Sequence, residues 1–245
     1  MFTSIARNTD IVIYMKKSQR WIVGIDEAGR GPLAGPVSVG LVLVPSNFDW
    51  NLIPGVGDSK QLSEKKREEI FKRAQMLQKE GKLQYVVEMV AASKIDSDGI
   101  SVCIKQSIAK GLKKLTNRRS CLLLQNALTN EHPHISKSRR QDLLLEPAWV
   151  MVKLDGSLRA PVEYVHQETI IKGDSKEKVI GLASIMAKVT RDLCMVKLAK
   201  EPEFTAYDFA RHKGYGTKAH RTAIALHGLS TQHRASYCGN ITIVV

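Results

Sequence analysis

Apolar residues Trp21, Ile22, Val23 and Ile25 form a short run that ends on two adjacent carboxylates and a glycine-rich turn, Gly24-Ile25-Asp26-Glu27-Ala28-Gly29-Arg30-Gly31-Pro32. An apolar run of this length, cut off by glycine and proline, predicts a buried strand over about 21–26 that delivers Asp26 and Glu27 to its carboxyl end. A second β-rich run follows from Pro36 to Val44, and Gly40 inside it marks a bulge or a close backbone approach. Pro45 to Gly57 is rich in turn residues. Ser63 and Glu64 open a helix that carries Ile70, Phe71, Ala74 and Leu77 on one face and stops at Gly81. Leu83 to Val90 reads as a strand, and 99–115 as a helix with Val102, Ile108 and Leu112 toward the core. Trp149 to Leu154 is a further strand, again ending on a carboxylate and a glycine, Asp155-Gly156, with short β-like pieces near 161–165 and 168–171. The longest helical pattern covers about 175–200, where Val179, Leu182, Met186, Val189, Leu193 and Val196 recur at spacings of three and four. Ala183 and Ala187 beside that stripe permit close approach to a sheet. A last helix is predicted over 217–227.

The 245 residues fit one large domain over 21–245, preceded by a polar, basic lead-in over 1–20 expected to be flexible. The irregular stretch 116–147, with Arg118, Arg119, Lys137, Arg139 and Arg140 among short leucine clusters, reads as an insertion in that domain. No apolar run approaches the roughly 20 residues needed to span a bilayer, and Met1 to Arg20 lacks the apolar core of a secretory signal. Four cysteines at 103, 121, 194 and 238 show neither a zinc spacing nor a disulfide framework, which makes a reducing cytoplasm the expected compartment. The charge changes the picture most. Thirty-seven lysines and arginines against 24 acids leave +13, a surplus that suggests a polyanionic partner, of which nucleic acid is the commonest.

Within that frame the carboxylates carry the chemistry. Asp26 and Glu27 beside an apolar strand repel each other and resist desolvation. A hard divalent cation relieves both, because Mg2+ takes oxygen ligands from one or two carboxylates plus substrate phosphates. Neighbouring strand residues point to opposite faces, so the two acids share a site only where regular strand geometry lapses. Asp155 repeats the arrangement, and if its strand is a parallel neighbour of the first, both acids emerge at the sheet end where ligands bind in open α/β sheets; alone, Asp-Gly is a turn signal. Ser184, Lys188 and Asp192 form a polar edge on the long helix, where an aspartate also suits a lysine partner. Asp174 with Glu177 has the spacing of an N-cap and capping box and reads as structural. His212-Lys213-Gly214-Tyr215-Gly216-Thr217-Lys218 is a basic, glycine-flexed loop with an aromatic, suited to phosphate contact and stacking, and His212 and His220 lack the acidic companions of a metal site.

In order along the chain, GIDEAGRGPLAGPV at 24–37, GDSKQLSEKKR at 57–67, LDG at 154–156, KGDS at 172–175, ASIMAKVTRD at 183–192 and HKGYGT at 212–217 closely resemble the type 2 ribonuclease H family. The resemblance implies an α/β, ribonuclease H-like fold, a mixed five-stranded sheet flanked by helices. It implies hydrolysis of RNA in RNA–DNA hybrids and cleavage at single ribonucleotides embedded in duplex DNA. By motif, the catalytic and metal-holding acids fall on Asp26, Glu27, Asp155 and Asp192. The backbone and 2′-hydroxyl contacts fall on Gly29, Arg30 and Gly31, the substrate-sensing tyrosine on Tyr215, and a lysine close to the site on Lys60. Gly216 stands where proline is more usual, HRASYCGN departs from the more usual basic-Ser-Phe ending, and the short stretch before residue 21 makes type 2 the expected assignment over the related type 3 enzymes with their substantial N-terminal domain.

The mechanism expected from these acids uses two Mg2+ or Mn2+ ions on either side of the scissile phosphate, one activating water for in-line attack and the other stabilising the departing 3′-oxygen. Products would carry 5′-phosphate and 3′-hydroxyl ends. A monomer is the simplest state for an enzyme that straddles a duplex. Two other readings stand beside it: another metal-dependent nuclease of the same superfamily, separated by an all-DNA substrate, and a non-catalytic RNA–DNA or ribosomal-RNA binding protein.

Overall fold

The computed structural model describes residues 21–57, 62–116, 145 and 147–242. Strand β1 (Trp21–Ala28) pairs antiparallel with β2 (Val37–Pro45), which pairs antiparallel with β3 (Gln84–Val90). On its other side β1 pairs in parallel with β4 (Val150–Asp155), and β4 in parallel with β5 (Gln167–Ile170). The order β3-β2-β1-β4-β5 makes the predicted mixed five-stranded sheet. The apolar run of β2 is buried on both faces, as expected of a strand sandwiched between helices. Leu41 and Leu43 face one layer while Val42 and Val44 face the other.

Helix α1 (Glu64–Lys79) begins at the predicted cap, where the Ser63 hydroxyl accepts from the Lys66 amide, and buries Ile70, Ala74 and Leu77. After β3 the chain forms a short α2 (Ala92–Asp98) and then α3 (Ile100–Thr116), which covers the Leu41 face. Its buried positions are Cys103, Ile104, Ser107, Ile108, Gly111, Leu112 and Leu115. Val102 is 45% exposed, contrary to expectation, because the stripe that meets the sheet is set by Gly111, which gives way to the Leu41 side chain.

The long helical pattern is two helices, α4 (Gly173–Lys176) and α5 (Lys178–Leu198), separated by Glu177 in an extended conformation. Helix α5 lies across β1 and β2 on its small residues. A methyl group on Gly24 would overlap the Val179 carbonyl, and one on Gly40 the Ala183 carbonyl. Gly40 therefore marks close approach and not a bulge, since the β1–β2 register runs unbroken past Asp26 opposite Gly40. Beyond Val189 the buried face of α5 turns to Arg191 and Met195, leaving Leu193 exposed although the period placed it in the stripe. Residues 161–165 contain turns, and only Gln167–Ile170 pairs with β4. Helices α6 (Phe209–His212) and α7 (Lys218–His227) close a third apolar cluster with Leu33, Ala34, Met195, Phe204 and Tyr207, packed against the loop that follows β1. The lead-in 1–20 and nearly all of 116–147 lie outside the described residues.

Because the obstacle at Gly40 is helix backbone, it cannot rotate away. Gly40→Ala is expected to lower stability by about 3 kcal/mol in urea titration; a loss below about 0.5 kcal/mol would show that α5 does not rest on the β2 backbone.

Candidate active site

The parallel register of β1 and β4 sets Ile25 beside Leu154, so the next residues, Asp26 and Asp155, leave the two central strands side by side. Asp26 is 5% exposed. Its side chain faces α5, where it takes a hydrogen bond from Ser184, and its Oδ1 accepts from the Glu27 amide at 2.7 Å. Burial pushes the Asp26 carboxyl up to about 8; the charges of Glu27 and Asp155 raise it further, and the two hydrogen bonds only partly offset them. Glu27 is less buried, and its Oε1 accepts from Arg30 Nε at 2.9 Å. Strand pairing persists through Ala28, so the lapse in strand geometry that is the condition for a shared site does not occur. The two acids leave opposite faces of β1 and still lie close enough to interact.

Asp155 Oδ1 accepts from the Gly173 amide at 2.6 Å, which draws the start of α4 to the end of β4. The next residue, Asp174, is 2% exposed. It is not the N-cap of either helix: Lys172 holds that place in α4 and Glu177 in α5, and neither makes a side-chain cap hydrogen bond. The capping-box expectation is corrected accordingly. Asp192 takes the lysine partner that its place on the polar edge suits. Its Oδ1 accepts from Lys188 Nζ at 2.9 Å and stands 4.0 Å from Arg191 Nη1. It lies eight residues beyond Ser184 on α5, which is ~12 Å of helix rise. Asp192 thus stands farther along the helix than the Ser184 contact to Asp26 and is engaged by Lys188, whereas Asp174 is delivered to Asp155 by the hydrogen bond before it.

The Gly-Arg-Gly turn is held from beneath by two arginines with no exposed surface. Arg191 Nε donates to the Pro36 carbonyl at 2.8 Å and its Nη2 to Ala34 at 3.1 Å. Arg234 donates to the carbonyls of Gly29, Arg30 and Gly35 at 2.7–3.0 Å. Burial lowers both guanidinium pKa values, that of Arg234 to about 10, with Arg191's charge adding to the effect. Gly29 has φ +87°, and any side chain there would overlap Arg191. A side chain on Gly31 would meet nothing within 4 Å. Tyr215 is 41% exposed, with Lys188 Nζ and Arg191 Cζ over its ring at 5.5 and 5.7 Å. The structure thus brings Asp26, Glu27 and Asp155 together, sets Gly29, Arg30 and Gly31 beside them and places Tyr215 farther along α5, over Lys188. Lys60 lies outside the described residues.

Carboxylates crowded at the ends of the two central parallel strands of a β3-β2-β1-β4-β5 sheet define a nuclease of the ribonuclease H-like class. A sequence model of the family described as Ribonuclease HII matches residues 23–240. Ribonuclease HII of Endomicrobium trichonymphae is 38% identical over 216 residues, covering 88% of this chain and 84% of that one. In fold, the chain is similar to the structure of the PCNA:RNase HII complex from Archaeoglobus fulgidus, with TM-score 0.61, 22% identity and coverage of 87% and 93%. It is also similar to Bst-RNase HIII in complex with Mn2+, with TM-score 0.58, 16% identity and coverage of 89% and 67%. The chain belongs to the ribonuclease HII family. It is a ribonuclease H, an endoribonuclease that depends on divalent metal. In chemistry the residues suit such an ion, all oxygen donors with a buried member whose charge the protein alone does not compensate, although among the described residues no three of them stand grouped at ligand spacing.

Without metal, folded Asp26 binds a proton more tightly than the unfolded chain, whose carboxyl titrates near 3.8. Its contribution is therefore harmless below about pH 4, grows more destabilising as pH rises to about 8, and is constant above that. Asp26→Asn is expected to raise the metal-free Tm at pH 8 and leave it unchanged at pH 4. An equal shift at both pH values would contradict the buried, protonated carboxyl.

Proposed function

We propose that this enzyme hydrolyses the RNA strand of RNA–DNA hybrids and cuts on the 5′ side of single ribonucleotides embedded in duplex DNA, leaving 5′-phosphate and 3′-hydroxyl ends. The observation that carries this reading is the set of carboxylates at the ends of β1 and β4, with buried Asp26 at its centre, beside a glycine turn that is exposed at Arg30 and Gly31. Asp26, Glu27, Asp155 and Asp174 would hold Mg2+ or Mn2+, the ions supplying an activated water and charge stabilisation at the leaving 3′-oxygen. Ser184 and the Glu27 amide orient the Asp26 carboxyl, and the Gly173 amide orients Asp155.

Arg30 and Gly31 would read the 2′-hydroxyl, the group that distinguishes RNA from DNA at one position. Nothing among the described residues requires a glycine at 31, so its missing side chain is best explained by close approach of a ribose. Tyr215, steadied over Lys188 and Arg191, would stack on the deoxyribose that follows and so sense an RNA-to-DNA junction. The +13 charge would hold the duplex phosphates and make binding salt-dependent.

A duplex with one ribonucleotide, beside an all-DNA control, tests the reading. The expected result is one cut on the 5′ side of the ribonucleotide and no cut in the control. Asp174→Asn should cost on the order of a thousandfold, and Asp192→Asn less than about tenfold. The reverse ranking would restore Asp192 as the fourth ligand, and equal cleavage of the all-DNA duplex would favour a different nuclease of the same superfamily.

A further inference from the structure

Three histidines that are far apart in sequence meet beneath the tyrosine loop. His212, His220 and His233 are all buried. His212 stacks on His220 with centroids 4.2 Å apart, and His220 Nε2 stands 3.1 Å from His233 Nε2. Two nitrogens facing each other at that distance must be one donor and one acceptor, and the outer partners decide which. The Ser230 amide can only donate, and it points at His233 Nδ1 at 2.9 Å; the Ser230 hydroxyl stands 2.8 Å from the same nitrogen, and the Tyr215 carbonyl at the other end can only accept. His233 therefore carries its proton on Nε2 and donates to His220. His220 then carries its proton on Nδ1, which faces the Tyr215 carbonyl at 2.9 Å. The chain runs in one direction: Ser230 N–H to His233, His233 to His220, His220 to Tyr215. Burial lowers the pKa of both His220 and His233 to about 4, which keeps the rings neutral and the direction fixed at neutral pH.

The residue after His233 is Arg234, which grips the Gly29 and Arg30 carbonyls. The same segment is sewn to the loop after β1 by Gly35 N–H to Gln232 O, Arg234 N–H to Leu33 O and a bridge between Ala34 and His233. Adjacent residues therefore reach in two directions, Arg234 to the turn that carries Arg30 and His233, through His220, to Tyr215.

We propose that His233 and His220 are positioning residues for substrate discrimination, a neutral imidazole relay that sets Tyr215 at a fixed distance from the Arg30 turn. The proposal rests on the role given above to Tyr215 and deepens it. The relay touches neither substrate nor metal, so its loss should blunt recognition of the junction far more than hydrolysis of a uniform hybrid.

Two isosteric variants separate this from a packing role. Asn at 220 places an N–H where Nδ1–H stands and keeps the bond to Tyr215; Gln places its amide where Nε2 stands and loses that bond. His220→Gln, which loses the Tyr215 bond, is expected to reduce cleavage of the single-ribonucleotide duplex about tenfold more than cleavage of a uniform hybrid; His220→Asn, which keeps that bond and gives up only the link to His233, is expected to show a smaller junction-selective loss, about threefold. Equal losses in the two variants, with a junction-selective loss in Tyr215→Ala, would overturn the relay alone. No junction-selective loss in Tyr215→Ala would overturn both the relay and the reading of Tyr215. The wild-type protein supplies a readout independent of activity: ring 15N shifts should show His220 protonated at Nδ1 and His233 at Nε2. The opposite tautomer at either residue would overturn the proposal.

Discussion

Two buried guanidiniums, Arg191 and Arg234, hold the loop between β1 and β2 by five of its carbonyls, and the active site depends on that grip. A loop on its own has no ladder to occupy its carbonyls, and a buried arginine has no water to solvate its charge. Each need answers the other. Geometry then constrains the sequence closely, because Gly29 must adopt positive φ and leave room for the Arg191 side chain. Arg191 also supports the Tyr215 ring, and Arg234 follows directly on His233, so both sides of the substrate path are registered to one scaffold.

Against this rigid frame stands a carboxylate cluster that the fold leaves electrically incomplete. Asp26 sits in dry surroundings beside Glu27 and Asp155, and its hydrogen bonds do not offset the cost of ionising it. A structural aspartate in that position would pair with one of the many cations of this chain. Here Arg30 pairs with Glu27 and Lys188 with Asp192, and on the function proposed above the buried Asp26 carboxyl would be left to a divalent ion. Local stability is given up where chemistry needs it, as stability–function trade-offs predict.

Much of this was legible in the sequence, where the signal was local. Apolar runs ending on Asp26 and Asp155 marked the central strands and their acids, and Ser63 marked the start of α1. What stayed illegible depended on long-range contact. Asp174 has capping-box spacing to Glu177, but the Gly173–Asp155 hydrogen bond draws the chain into a separate turn before α5 begins. Asp192 sits on the predicted polar edge, and the polar edge alone could not say whether it would face a metal or, as in the structure, pair with Lys188. Val102 and Leu193 obey the helical period, but what each helix faces decides burial. Arginines are expected at the surface, so nothing local pointed to Arg191 and Arg234 as interior residues. Likewise, His212, His220 and His233 become a cluster only when α6, α7 and the 230–236 segment converge on the loop after β1.

The most direct test of the central claim, that a buried, protonated Asp26 becomes a metal ligand, is a count of the protons set free when metal binds. Mn2+ titrated calorimetrically into the protein at pH 7, in buffers of different ionisation enthalpy, gives that count. Asp26 titrates at about 8 in the metal-free protein and must ionise to become a ligand, so the expected result is release of about one proton, absent in Asp26→Asn. Mn2+ bound with equal affinity and no proton release in both proteins would contradict the claim.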